Sequence, residues 1–284
     1  LDKENDAAEK QKLADYKASL TENELEQVVS DTKELKLYQE TPSPAEDMEK
    51  VSLLSISDIR KEIHPLKNRE DSIYGMPLIS HDIFTNGIGY LEFIFDINDL
   101  DAEFVPYVEL LTSIFKYVDT EHYTYGELFN EINANTGGIN CGVEVFDRAD
   151  STEEFQAMFS VRGKALYTKM DFLFKMIGEI LNSSKLEDTK RLYEIVASVK
   201  SRAQVNLTGA GHSTAVLRAA AYSSPMAAFQ DEMAGIGYYQ FIEKLEKDFD
   251  SCKDEIVKNL RKVMEEVLRP ENFCVSYTGE RESL

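Results

Sequence analysis

The amino-acid sequence predicts an α+β fold, in which helices pack on one face of a mainly antiparallel sheet and a helical hairpin arm precedes the domain. The first observation is that short segments such as Gly89–Ile97 alternate apolar and polar residues, as half-buried strands do. The second is the order of the patterns: two strands, helices, two strands, helices and a last strand, without a repeating strand–helix unit. The third is a change of character, because residues 1–66 are highly charged with thin apolar stripes and residues 67–284 are not.

The arm is predicted from helix-boundary signals. Thr21 and Glu24 have the spacing of a capping box, so a second helix starts directly after Thr21 and runs to about Tyr38. Ser43 followed by Pro44 indicates a cap and a first-turn proline for a short helix. Thin apolar stripes cannot build a core alone, so we expect this arm to pack on another part of the protein.

The domain begins with two predicted strands and an apolar helix. Gly75–Ser80 is predicted as a strand that continues through His81–Phe84 after a turn. Gly89–Ile97 is the second strand, with large apolar side chains on one face and acidic side chains on the other. The apolar helix that follows repeats its core residues at three- and four-residue spacing: Val108, Leu111, Phe115 and Val118.

The middle of the domain repeats this order. Tyr125–Asn133 is predicted as a helix, and Gly137–Gly138 supplies its left-handed cap. Ile139–Phe146 and Glu154–Arg162 alternate as a pair of strands. Lys164–Leu181 is predicted as a strongly amphipathic helix.

The last part is mostly helical. We expect a helix over Leu186–Leu207 and another that starts at the cap-and-proline pair Ser224–Pro225. Tyr238–Leu268 is helical with a break near Asp248–Ser251, and Glu271–Gly279 forms the final strand.

Composition narrows the classes of function. A formal net charge of −21 disfavours binding to nucleic-acid backbones and anionic membranes. The excess of acidic groups serves solubility or, alternatively, attracts basic peptides. No apolar run approaches the roughly 18 residues that cross a bilayer. Cys141, Cys252 and Cys274 form no CxxC pair and suit small buried positions in a reducing compartment, so we expect a cytoplasmic protein.

The sequence predicts no catalytic residue, no cofactor-binding residue and no metal ligand in this chain. None of its histidines starts an HExxH or HxxEH motif, and the nearest approach, Val118–His122, has Val at the first ligand position. We interpret that segment as ordinary surface residues. No Ser lies in a nucleophile elbow, and no Cys has a His and an acid at a recognisable spacing. The four histidines are His64, His81, His122 and His212.

Glycine-rich segments have two interpretations each. Three Gly-x-Gly triplets lack the rest of a nucleotide fingerprint, and we favour turn or close-packing roles for them. Gly209–Thr214 either binds an anion at a helix start or, as we favour, begins a helix capped by Ser213 or Thr214. The triplets are Gly87–Gly89, Gly209–Gly211 and Gly235–Gly237.

Arg218 also has two interpretations. It either contacts a substrate carboxylate or forms a surface salt bridge, which is the safer expectation.

Four stretches together carry a family resemblance: His81–Tyr90, Tyr123–Gly138, Gly209–His212 and Arg218–Tyr222. Their combination resembles the presequence protease and falcilysin branch of the pitrilysin-type, inverted-zincin metallopeptidases. The resemblance covers nearly the whole chain and is to the family's associated region, in the middle of the polypeptide.

The resemblance implies a zinc endopeptidase whose two halves, joined by a helical hairpin, close around a chamber that admits short or unfolded peptides. The zinc motif, HxxEH, lies in the first half. Residues 1–66 are then the hairpin hinge and residues 67–284 the first, non-catalytic domain of the second half. The implied partners are peptide substrates, the N-terminal catalytic half and the final domain of the same polypeptide, with no nucleic acid and no membrane.

The resemblance also implies a vestigial site. In the catalytic domain the motif helix follows a strand and begins with Pro-His, and here Pro106 takes the analogous place. The first zinc ligand then falls at Tyr107, the general base at Leu110 and the second ligand at Leu111. Glu109 is one position out of register, about 100° around the helix. We expect zinc in the full-length enzyme, none in this segment, and no activity of the segment alone.

A second hypothesis is a free-standing scaffold or peptide-binding subunit without enzymatic activity. The first residue is not Met, and the chain stops where another domain of the family should begin, so we favour a segment of a longer enzyme.

Overall fold

A computed structural model describes residues 2–62, 65, 68–151 and 153–283 of this chain. The chain divides into two compact units, Leu1–His64 and Pro65–Leu284.

The first unit is helical and has no core of its own among the residues described. The predicted capping box is present: the Glu24 amide donates to the Thr21 hydroxyl at 3.4 Å, and the Thr21 amide donates to the Glu24 carboxylate at 2.8 Å. The Ser43 cap is wrong, because Pro44 itself is the N-cap residue and no side chain caps this helix. No side chain described in this unit is buried. Its helices are α1 (Asp2–Ser19), α2 (Glu22–Glu40) and α3 (Ala45–Glu49), and a 3₁₀ turn follows at Ile56–Asp58.

The second unit contains a six-stranded sheet in the order β1-β2-β6-β3-β5-β4. Every neighbouring pair is antiparallel except β2 and β6, which run parallel. This confirms the predicted α+β fold with a mainly antiparallel sheet. The strands are β1 (Asn68–Ile73), β2 (Met76–Asp82), β3 (Ile88–Asp96), β4 (Ile139–Asp147), β5 (Phe155–Leu166) and β6 (Phe273–Gly279).

Eight α-helices are described in this unit, and two of the predicted boundary signals are confirmed. The Ser224 hydroxyl accepts from the Ala227 amide at 3.3 Å and caps a helix whose first residue is Pro225. The predicted break in the last long helix falls at Asp248. The helices are α4 (Val105–Ile114), α5 (Tyr125–Asn135), α6 (Met170–Ser183), α7 (Thr189–Gly209), α8 (Gly211–Ala220), α9 (Pro225–Ala234), α10 (Ile236–Lys247) and α11 (Phe249–Val267).

The sheet has a core face and a solvent face. Leu91 and Phe95 of β3 point to the core face, where α6 packs on β5 and α4 contacts β4. The alternate residues of β3, Glu92 and Ile94, point the other way and pair with Arg162 and Ser160 of β5. The side chains of the solvent face are exposed or half-buried, apart from the small and buried Ser160.

Two strand predictions differ from the structure. β5 continues through Lys164 to Leu166, and α6 begins only at Met170, where the sequence predicted one helix from Lys164 onward. The strand continues because Ile88 and its neighbours in β3 pair with this stretch up to Leu166. The polar strand β1 was not predicted, because it contributes backbone pairing to β2 and its side chains are exposed.

Two cap predictions are also wrong. α5 ends at Asn135, its C-cap residue Thr136 has an extended backbone, and the left-handed Gly138 (φ +104°) lies directly before β4 instead of capping the helix. α8 begins at Gly211 with Ala210 as the N-cap, so Ser213 and Thr214 lie inside the helix. The Thr214 hydroxyl donates back to the Ala210 carbonyl at 3.2 Å, a bond that a helical Thr makes readily.

Candidate functional site

The candidate site is the helix α4, which follows β3 and a single 3₁₀ turn and carries a proline in its first turn. Tyr107, Leu110 and Leu111 are 8%, 0% and 1% exposed. Neighbouring helices α7, α9 and α11 contact α4 and cover these positions. The three predicted vestigial positions therefore belong to the hydrophobic core.

Tyr107 is held by a hydrogen bond and by contacts with aromatic rings. Its hydroxyl accepts a hydrogen bond from Asn259 Nδ2 at 3.1 Å, and its ring packs edge-to-face on Phe241 with 4.8 Å between centroids. Burial raises the pKa of Tyr107, and the Asn259 hydrogen bond opposes that shift. A neutral phenol in this environment is a poor zinc ligand, since the usual donors are thiolate, imidazole and carboxylate.

Glu109 is the one acidic side chain within residues 106–111, which include the three predicted vestigial positions, and it is half-buried. Burial raises its pKa from 4.5 to about 7, while nearby Lys116 acts in the opposite direction. The buried Tyr238 hydroxyl has no hydrogen-bond partner among the described residues, and burial together with the Glu109 charge raises the Tyr238 pKa. Glu109 thus lies in an environment that favours the protonated acid.

The three histidines that the structure describes do not assemble into a metal site. His122 Nδ1 lies 3.0 Å from Glu179 Oε2, and the His122 amide also donates to Glu179 at 3.0 Å. His81 lies on β2 and His212 on α8, while His64 falls outside the described residues. In the part of the chain that the structure describes, no three His, Cys, Asp or Glu side chains are placed to hold a metal ion.

Arg218 forms the salt bridge that the sequence indicated, but with a buried partner that sequence reasoning missed. Its Nη1 lies 2.6 Å from Oδ2 of Asp231, which is 1% exposed. Asp231 also accepts from the amides of Ile236 and Gly237, between α9 and α10. A Cβ at Gly235 would lie 2.3 Å from the Asp231 carboxylate, so this Gly-x-Gly triplet is a close-packing element.

The solvent face of the sheet carries a cluster of three charged side chains, Glu92, Glu144 and Arg162. Arg162 Nε donates to Glu92 at 2.6 Å, and Arg162 Nη2 donates to Glu144 on the other side. Lys164 and Asn140 continue this polar surface around a shallow pocket of about 380 Å³. The charges of Glu92, Arg162 and Glu144 are thus paired with one another on an open surface.

The sequence was compared with known proteins. Residues 1–245 match the family described as peptidase M-16C associated. The chain belongs to this family. The match confirms the resemblance predicted from the four stretches above, including the branch of the presequence proteases.

Several relatives extend over most of the chain. Protein HypA of Clostridium perfringens is 32% identical over 99% of this chain, and presequence protease 1, chloroplastic/mitochondrial, of Arabidopsis thaliana is 31% identical over 99%. The mitochondrial presequence protease of Yarrowia lipolytica is 28% identical over 93%. The chain spans only 26–29% of the length of these three relatives.

A solved structure supports the fold alone. The crystal structure of a conserved protein from Enterococcus faecalis V583 has a TM-score of 0.52 and 11% identity, over 75% of this chain and 48% of that chain. Among the helices described here, none combines the length and the apolar character that a membrane crossing requires.

Proposed function

We propose that this chain is a non-catalytic segment of a zinc metalloendopeptidase that degrades short, unfolded peptides inside a closed chamber formed by two halves. The observation that carries the proposal is α4. By the resemblance it corresponds to a zinc-motif helix, and its side chains Tyr107, Leu110 and Leu111 are packed into the core. These side chains do not fit a zinc ion, so we assign no step of peptide hydrolysis to this chain.

The segment would have two structural roles. We assign residues 1–66 to a hinge and residues 67–284 to a wall of the chamber. The lack of any buried side chain among the described residues of the first unit supports a hinge that packs on other parts of the polypeptide. The small share of the relatives that the chain covers supports a segment of a longer enzyme.

The partners would be peptide substrates, the N-terminal catalytic half and the final domain of the same polypeptide. Zinc bound in the catalytic half would supply an activated water for attack on the peptide carbonyl. The net charge of −21 disfavours nucleic acids and anionic membranes as partners. We place the enzyme in the cytoplasm.

Metal analysis and a peptidase assay test this proposal. The isolated chain should bind no stoichiometric zinc and cleave no peptide. The full polypeptide should bind zinc and cleave peptides. One tightly held zinc per chain, with peptidase activity that a chelator abolishes, would contradict the proposal. A parent reading frame that starts near Leu1 and has no upstream HxxEH would instead favour the free-standing scaffold.

A further inference from the structure

The solvent face of the sheet contains a cleft of about 510 Å³ near the end of β3. Four strands supply its floor, and the register places Ile94 opposite Cys274 and Asp96 opposite Met158. The apolar floor residues are half-buried, although the helices pack on the other face of the sheet. These floor residues are Ile79, Ile94, Met158 and Cys274.

Carboxylates surround this apolar floor. Asp96, Asp99, Glu266 and Glu271 line the cleft, and Arg269 is its one basic residue. Arg269 Nε donates to the main-chain oxygen of Glu266 and neutralises no carboxylate through this bond, whereas Lys262 Nζ lies 3.6 Å from Oε1 of Glu266 and pairs with that one carboxylate. Within the described residues, the carboxylates of Asp99 and Glu271 make neither a hydrogen bond nor an ion pair, and both residues are exposed.

The other end of the same face differs in this respect. There Arg162 neutralises Glu92 and Glu144 by direct ion pairs. The cleft therefore combines an apolar surface with uncompensated negative charge. A ligand that carries both apolar and cationic groups would contact both. Apolar side chains would remove the floor from water, and cationic side chains would pair with the rim.

We propose that this cleft binds a segment of peptide that carries both apolar and cationic side chains. The proposal rests on the proposed function, in which this domain forms a wall of the peptide chamber. A second copy of the chain is a poorer occupant, because a molecule of net charge −21 would approach the acidic rim with like charge. Because the cleft is open to solvent and small, we expect weak binding that weakens further with salt.

Charge reversal at the rim tests the cleft. Anisotropy measurements would follow a labelled peptide of leucine and arginine, and a second peptide with glutamate in place of arginine. The chain should bind the first peptide, and Asp99→Lys with Glu271→Lys should raise its Kd roughly 10-fold at low salt. The matched control reverses two exposed acids outside the cleft, Glu121→Lys with Asp254→Lys, and should change Kd by less than about 2-fold.

A second variant tests the floor. Ile94→Ser should raise the Kd for the leucine–arginine peptide at low and high salt alike, because it removes apolar contact and no charge. Thermal unfolding checks that each variant is folded, and the single changes Asp99→Asn and Glu271→Gln replace the reversal if the double variant unfolds.

Three results would contradict the proposal that the cleft binds this peptide. They are equal losses of affinity in the rim and control pairs, no loss in either pair, and a change of oligomeric state in the rim pair without a change in peptide binding. The zinc assay remains a separate readout. A chain that holds zinc contradicts the proposed function, whereas a zinc-free chain whose peptide binding ignores the rim substitutions contradicts the cleft alone.

Discussion

The helix α4 and the solvent face of the sheet show two different outcomes for polar groups in one domain. On α4 the positions that the resemblance assigns to a zinc motif are Tyr107, Leu110 and Leu111, and all three are buried. On the sheet, Glu92 and Arg162 remain exposed or half-buried and pair across neighbouring strands. The comparison shows that α4 contributes these side chains to the core, whereas the sheet keeps its polar groups accessible to solvent.

Introducing an HxxEH motif into α4 is the most severe test of this comparison. The triple variant Tyr107→His, Leu110→Glu, Leu111→His has the sequence HxxEH at residues 107–111. We expect it to unfold instead of binding zinc. Burying a carboxylate at a fully buried position costs several kcal/mol or more, because no partner is in place for the charge. Urea denaturation followed by circular dichroism measures the loss.

The matched control for that variant is Leu110→Met, which keeps the volume and should cost less than about 1.5 kcal/mol. A folded triple variant with one zinc per chain would show that α4 still has the geometry of a site, and the comparison would fail.

Glu109 sharpens the comparison through pH. Its pKa is raised to about 7 by burial, whereas the unfolded chain has the ordinary value of 4.5. Between these values the folded chain holds a proton that the unfolded chain has released, so stability falls as the pH rises through this window. Glu109→Gln should remove most of this dependence, which is on the order of 3 kcal/mol.

Urea denaturation at pH values on both sides of the window measures this effect. Glu121→Gln is the control, because it makes the same substitution at an exposed position. A profile in which the two variants behave alike would place Glu109 in water and contradict its burial beside Tyr238.

Tyr107→Phe separates packing from hydrogen bonding on α4. The ring contact with Phe241 is kept, and the hydrogen bond from Asn259 is lost. We expect a loss of about 1 kcal/mol in the free energy of unfolding, since a neutral hydrogen bond contributes about that much. A double-mutant cycle with Asn259→Ala measures the coupling, and zero coupling would mean that the phenol interacts with another group.

The position of α4 could be predicted from sequence, whereas the assignment of zinc-motif positions to it stays a prediction. Val108 and Leu111 repeat at helical spacing, and the alternation of Gly89–Ile97 identified the strand before the helix. Local patterns suffice for such elements because each side chain reports its own burial. The same reasoning missed β1, whose exposed polar residues pair with β2 through the backbone alone.

The cleft and the buried acid Asp231 were not predictable in this way. The floor of the cleft combines β2 and β6, which are far apart in the sequence and lie side by side only through the sheet order. A charged Asp within a helix is expected to face solvent. In the folded chain, the amides of Ile236 and Gly237 at the start of α10 donate to Asp231. The one local signal was the Gly-x-Gly triplet at Gly235–Gly237, where side chains would collide with Asp231.

The smallest expected effect concerns Arg162. Although it pairs with Glu92 and Glu144, its side chain is 47% exposed, and water and salt screen both pairs. We expect Arg162→Ala to change the free energy of unfolding by less than about 1 kcal/mol, with a smaller effect at high salt. Chemical denaturation at two salt concentrations, beside the control Lys164→Ala on the same strand, measures this. A salt-independent loss comparable to that of the triple variant would mean that this face is part of the core, and the contrast with α4 would then disappear.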